Sequence, residues 1–145
     1  MVSSSVILVD DEMLARDRLR RMLEDVAQYQ VIAEASNGRE AIEQVQRLTP
    51  DILLMDIRMP GIDGLETAQH LLEFAHPPAI IFCTAYDESA LSAFDVQAVG
   101  YLLKPVRKER LFAALERAQR ISMTQIEAIR SGEARTHLTV RSHAG

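Results

Sequence analysis

Asp56 ends a short apolar run, Ile52 to Met55, and Met59-Pro60-Gly61 and Asp63-Gly64 follow it as loop and turn signals. A run of this kind fits a strand buried on both faces. An acid at the carboxyl end of such a strand stands where open α/β sheets hold their ligands, although it could equally cap the next helix or open a turn. Three more strand-like runs end in reactive groups: Val6 to Val9 in Asp10-Asp11, Ala79 to Cys83 in Thr84, and Val99 to Leu103 in Lys104. Asp11 and Glu12 could serve only as helix cap and first-turn acid. Clustered together, however, Asp10, Asp11 and Asp56 would raise one another's pKa. A hard divalent ion relieves that strain, and Mg2+ suits a few carboxylate oxygens, a backbone carbonyl and water. A hydroxyl and an ammonium beside such an ion make a phosphoryl-transfer site, which works by positioning and by neutralising charge. Asp56 would be its nucleophile, forming an acyl phosphate.

The elements that must position these groups follow from a change of period between the strands. Leu14, Leu19, Met22, Leu23 and Val26 are assigned to one face of a helix from Met13, with Arg16, Asp17, Arg20 and Arg21 largely on the other. Val31 to Ala33 reads as a strand and Asn37-Gly38 as a turn. Ala41, Ile42, Val45 and Leu48 mark a second helix, which Thr49-Pro50 terminates. Leu65, Ala68, Leu71, Leu72 and Ala75 mark a third, stopped by Pro77-Pro78. A weaker helix is expected over about 87–97, carrying Leu91 and Phe94. The last begins near Arg107 or Lys108, uses Leu111, Phe112, Leu115, Ala118 and Ile121, and extends toward Gly132. Five alternations of strand and helix predict an α/β fold, a doubly wound parallel sheet with helices on both faces. In the order 2-1-3-4-5 its switch point lies between the first and third strands, so Asp10, Asp11 and Asp56 converge there.

A chain of 145 residues has room for one domain with a proper core and a short extension. Residues 1–106 hold 8 basic against 17 acidic side chains, and residues 107–130 hold 6 against 3. The acidic body does not favour nucleic-acid phosphates. The basic late helix could meet an acidic partner surface or simply be solvated. Cys83, the single cysteine, has no partner for a disulfide and reads as a buried small hydrophobe in a reducing compartment. The N-terminus carries no signal-peptide or membrane-span pattern, so a cytoplasmic location is expected. Thr136 to Arg141 alternates like a half-buried strand, with Leu138 and Val140 on one face.

The ensemble Asp10-Asp11, Asp56-x-x-Met59-Pro60-x-x-Asp63-Gly64, Thr84-Ala85 and Tyr101-x-x-Lys104-Pro105 resembles the receiver domain of two-component response regulators, over roughly residues 5–120. Residues 80–88 and 98–107 further resemble the LytTR-type branch containing the alginate-biosynthesis regulator, in which a DNA-binding domain follows the receiver. The resemblance implies a flavodoxin-like receiver fold, with Asp56 as phosphoacceptor for a sensor histidine kinase. Asp10, Asp11, Asp56 and the Arg58 carbonyl would hold Mg2+, with Asp10 acting through water. It also implies Thr84 and Tyr101 as switch residues, Lys104 as the partner of the phosphoryl group, and structural roles for Pro105 and Gly64.

The Lys104-Pro105 bond is expected to be cis, which the resemblance in part implies: only X-Pro bonds adopt cis at little cost, and a tight turn would aim the ammonium back at Asp56. Division into a receiver (1–122), a helical linker (123–134) and the opening of a LytTR-type domain (135–145) is expected. So is a phosphorylation-promoted homodimer through Leu91, Asp95, Arg110 and Arg117, with Phe112 or Leu115 as an apolar centre if exposed. Such a chain would catalyse only its own phosphorylation and dephosphorylation, and would reach DNA only through a further domain. Two rivals remain. A haloacid-dehalogenase-like phosphatase needs a second Asp two residues after the first, where Arg58 stands. A receiver used solely for dimerisation, never phosphorylated, would carry the same residues.

Overall fold

The computed structural model describes residues 3–85 and 98–131, with side chains through residue 121. In chain order come β1 (Ser4–Val9), α1 (Met13–Glu24), β2 (Tyr29–Ala35), α2 (Gly38–Leu48), β3 (Ile52–Met55), α3 (Gly64–Leu71), β4 (Ala79–Thr84), β5 (Gly100–Leu103) and α4 (Lys108–Ser131). The strands pair in parallel in the order β2-β1-β3-β4-β5, the doubly wound, flavodoxin-like topology expected. The helix expected near 87–97, with Leu91 and Asp95, lies outside the described residues, as does the tail with Leu138 and Val140.

Alternation along the central strands divides their side chains between two cores. Val6, Leu8, Ile52, Leu54, Ile81 and Cys83 pack with Leu19 and Leu23 of α1 and with Leu111, Ala114, Leu115 and Ala118 of α4. Ile7, Val9, Leu53, Met55, Ile80 and Phe82 pack on the other side with Ala41 and Val45 of α2 and Leu65, Ala68 and Leu71 of α3. Every side chain of β3 is fully buried, which explains its unbroken apolar sequence. Each such Leu or Ile contributes about 1.5–3 kcal/mol of hydrophobic transfer. Burial also pushes the Cys83 thiol up to about 12, so it stays an inert thiol.

Several elements differ from the sequence reading. Leu14 is 80% exposed rather than part of the core face of α1. Five residues before Leu19 amounts to about 140° around a helix, so Leu14 points away from Leu19 and Leu23. α3 ends at Leu71, and Leu72 and Ala75 are exposed. Turn bonds from the Glu73 and Phe74 amides to His70 and Leu71 carry the chain onward. Leu115 is fully buried and Phe112 half-buried against Tyr29, so neither offers an open apolar centre on α4.

Asn37-Gly38 is a helix start rather than a free turn. The Asn37 side chain accepts from the Glu40 amide at 2.9 Å, and Glu40 reaches back to accept from the Ser36 amide at 2.8 Å. Such reciprocal caps contribute about 1 kcal/mol. Asp63 caps α3 in the same way, accepting from the Glu66 amide at 2.9 Å.

β2 is longer than expected because polar residues alternate along it. Its pairing with β1 shifts between Val6↔Val31 and Ile7↔Ala33, so Ile32 is an extra residue, a bulge on the edge strand. Beyond a one-residue insertion every following side chain changes face. Tyr29 and Val31 accordingly pack with the α1/α4 core, whereas Ala33 and Ala35 pack with the α2/α3 core.

Candidate phosphoacceptor site

Val9 and Met55 are partners in the β1–β3 ladder, so the residues that follow them, Asp10 and Asp56, leave the sheet side by side. The Asp56 amide donates to the Val9 carbonyl at 2.9 Å, and the Asp10 amide to the Ala35 carbonyl at 3.0 Å. Both acids are almost wholly buried while Asp11 is exposed. Carboxylate oxygens of Asp10, Asp11 and Asp56 all lie within 4.8 Å of one another. Ile57 and Met59 anchor the following loop by burying their side chains in the α2/α3 core, leaving Arg58 between them exposed. The Arg58 amide turns back toward Asp56 Oδ1 at 3.4 Å.

The cluster already contains a cation. Lys104, at the end of β5, places Nζ 2.8 Å from Asp10 Oδ2 and 3.4 Å from Asp56 Oδ2. Its peptide bond to Pro105 is cis, as expected. Burial pushes the Asp56 carboxyl above its ordinary range; Lys104 opposes this, and the charge on Asp10 reinforces it. Burial alone would lower the Lys104 pKa, but its bond to Asp10 and the paired charges hold it above the ordinary lysine value.

Thr84 ends β4 and is buried, with the Lys104 amide donating to its carbonyl at 2.9 Å. Tyr101 on β5 is half-buried and stacks on Phe82, the ring centroids 5.6 Å apart. Thr84, Tyr101, Lys104, Pro105, Arg107 and Arg110 line a cavity of about 430 Å3 at this end of the sheet. A strand-end carboxylate is thus held between two further acids and an ammonium, with a buried hydroxyl on the adjoining strand.

A family model of the response regulator receiver domain matches residues 6–116. The chain belongs to this family. It is 49% identical over 148 residues to the positive alginate biosynthesis regulatory protein of Pseudomonas aeruginosa, a match covering 97% of this chain and 60% of that protein. To the sensory transduction protein LytT of Bacillus cereus it is 41% identical over 138 residues, covering 95% of this chain and 56% of the other. The chain thus spans little more than half the length of these curated relatives. Among solved structures, the response regulatory domain of mrkE from Klebsiella pneumoniae superposes with a TM-score of 0.74 at 32% identity, covering 83% of this chain and 99% of that one.

Around the receiver's edge, Arg110 is exposed, and exposed Arg117 donates to the Val99 carbonyl at 3.1 Å. Gly64 packs against the backbone after β3: a Cβ there would stand 2.3 Å from the Asp56 carbonyl oxygen. No helix among the described residues is long and apolar enough to cross a membrane.

The sequence reading missed one group beside the receiver site. Arg16, assigned to the outer face of α1, is largely buried and donates from Nε to Glu34 Oε1 at 2.7 Å and from Nη1 to the Asp10 carbonyl at 2.6 Å. Arg20 adds a second bond to Glu34. A hint was present, because a cation in the first turns of a helix opposes the helix dipole and needs another reason to be there. Burial would raise the Glu34 pKa, but the two guanidinium groups together hold it below the ordinary 4.5. A lowered folded pKa means that the stabilisation is complete above the unfolded value and is lost as pH falls through the folded one. Glu34→Gln should therefore cost about 0.5–1 kcal/mol at neutral pH, as for a partly exposed pair. In urea unfolding, the difference from the parent protein should shrink steadily below pH 4.5 and in high salt. A gap independent of pH would show that the charge is not the cause.

Proposed function

We propose that this receiver domain accepts a phosphoryl group on Asp56 from the phosphohistidine of a sensor kinase. The observation that carries this reading is the convergence of Asp10, Asp11 and Asp56 within 4.8 Å, with the Lys104 ammonium among them. An Asp56 oxygen attacks phosphorus, the P–N bond to the kinase imidazole breaks, and that imidazole takes a proton from solvent. The product is an aspartyl phosphate. Lys104 balances charge on the phosphoryl oxygens, and Thr84 donates a hydrogen bond to one of them.

An all-oxygen donor set with two buried acids and one exposed acid fits Mg2+. Asp10, Asp11, Asp56 and the Arg58 carbonyl would hold it, Asp10 through water. When bound, Mg2+ neutralises the cluster and the incoming phosphate. Acetyl phosphate with Mg2+ should add the mass of one phosphate to the intact chain, and excess chelator should prevent it. Equal incorporation with and without chelator would overturn the metal assignment. No incorporation from acetyl phosphate or from a cognate kinase would instead favour a receiver that only dimerises.

Output follows from Thr84 and Tyr101. A bond from Thr84 to the phosphoryl group draws its loop inward and lets Tyr101 rotate, altering the surface beside α4 and promoting a two-fold homodimer. Gly64 and Pro105 serve the backbone of this site. The domain division proposed is a receiver to residue 122, a linker over 123–134 and the start of a LytTR-type domain at 135–145. DNA is reached through that further domain, in the cytoplasm, and the receiver turns over no other substrate. Beryllofluoride should raise the sedimentation coefficient toward that of a dimer. Glu at Arg110 or Arg117 should weaken the dimer by about 1 kcal/mol, roughly five-fold, as expected of an exposed pair. A chain that stays monomeric with beryllofluoride at high micromolar concentration would rule this face out.

A further inference from the structure

Asp10 is fixed at three points. Its Oδ2 meets Lys104, its Oδ1 accepts from the Glu12 amide at 2.9 Å, and its carbonyl accepts from Arg16 Nη1 at 2.6 Å. The third contact comes from outside the acidic cluster, and its geometry is set from the β2 edge of the sheet. Glu34 holds the Arg16 guanidinium through Nε, so the nitrogen that reaches Asp10 is aimed by a fork with one prong on β2. Glu34 can do this only because of the Ile32 bulge. In unbroken register Ile32 would pair with Ile7 and Glu34 with Val9, on the α2/α3 face; with Ile32 bulged out, Glu34 pairs with Leu8 and faces α1. Bulges that re-aim a side chain are found next to active sites.

We propose that Arg16 is a positioning residue for the Mg2+ and phosphoryl site, holding the Asp10-Asp11 backbone at the end of β1, and that Glu34 acts through it. This rests on the phosphoacceptor reading above. Outer groups that orient metal ligands typically change affinity by about 10–100-fold when removed.

The sign of the effect separates positioning from simple electrostatics. A cation bonded to the Asp10 carbonyl repels Mg2+ bound at the cluster, so deleting its charge should tighten metal binding if charge were all that mattered. Loss of positioning weakens it. The test is calorimetric titration of the intact chain with Mg2+ alone, at a temperature well below unfolding, for the parent, Arg16→Lys, Arg16→Met, Glu34→Gln and the Arg16→Met/Glu34→Gln pair. Arg16→Met should bind Mg2+ about ten-fold more weakly. Arg16→Lys should be weakened too, since it keeps the charge but loses the fork. Glu34→Gln should show a smaller loss and add nothing in the Arg16→Met background. A purely structural staple would lower the melting temperature of each variant and leave Mg2+ affinity unchanged, which overturns the proposal. So does tighter binding by Arg16→Met. If the parent chain binds no Mg2+, the metal reading itself falls as well, whereas normal parent binding with unaffected variants sinks only the role of Arg16. Should Arg16→Met fail to fold, Arg16→Lys and Glu34→Gln decide the matter alone.

Discussion

Replacing Asp56 with Asn should abolish phosphate incorporation from acetyl phosphate, reducing it to background by a factor on the order of 10³ or more, as removal of a nucleophile does. The three acids at the site are not equivalent. Both Asp10 oxygens are closely engaged, by Lys104 at 2.8 Å and by the Glu12 amide at 2.9 Å. Asp11 is exposed. Asp56 has the loosest contacts, 3.4 Å to Lys104 and 3.4 Å to the Arg58 amide, which leaves its lone pairs available for attack. The same substitution should not unfold the chain. Burial raises the Asp56 pKa, so its ionised form opposes folding at neutral pH, and a neutral isostere removes both that cost and the repulsion from Asp10. Asp56→Asn should therefore melt at or above the parent temperature in Mg2+-free buffer while failing to gain mass. A one-phosphate mass shift that survives in this variant would move the acceptor elsewhere.

Gly64→Ala should destabilise the receiver by about 2 kcal/mol or more and should slow Asp56 phosphorylation at least about ten-fold, since small misplacements at a reacting centre are costly. Two effects compete. Alanine at the start of α3 gains up to about 1 kcal/mol over glycine in helix propensity. Against this, its Cβ would lie 2.3 Å from the Asp56 carbonyl oxygen and 2.7 Å from Ile57 Cα. These are main-chain atoms at the end of the most buried strand, so they cannot swing aside as a flexible side chain would. The Gly64 amide also donates to the Ile57 carbonyl at 2.7 Å, and pushing the helix start outward would stretch that bond. The clash wins. Gly61→Ala provides the comparison: Gly61 has φ 82°, and an added methyl would meet nothing within 4 Å. Only backbone strain of about 1–2 kcal/mol is expected there. Denaturant unfolding of both variants checks the ranking, and a Gly64→Ala protein as stable as its parent would refute it.

Much of this was legible because the chemistry sits at strand ends, and buried strands announce themselves. The runs Val6 to Val9, Ile52 to Met55 and Ala79 to Cys83 are apolar because both faces are covered, and each stops close to where its strand does. Asp10, Asp56, Thr84 and Lys104 could therefore be placed at one edge without coordinates. What escaped depended on angles and pairings that a linear pattern does not carry. Leu14 falls outside the core by its rotation about α1. Glu34 lies just past the run Val31 to Ala33 and gave no signal, because the bulge that turns it toward Arg16 exists only in the pairing of β2 with β1. Arg16 looked solvated for the same reason, since its partners are 18 residues later and 6 residues earlier in the chain.

The position of β3 has a consequence for how the molecule opens. β1 and β3 are hydrogen-bonded on both sides and covered by both cores, whereas β5, among the described residues, pairs with β4 alone. Interior strands exchange their amide hydrogens only through the rarest, most nearly global openings, while edge strands exchange through smaller and more frequent ones. Asp10 and Asp56 are thus attached to the slowest-exchanging part of the sheet, and Tyr101 and Lys104 to a part that yields at lower free energy. Local unfolding at the β5 edge can rearrange the groups that report on the acidic cluster while the cluster itself keeps its shape.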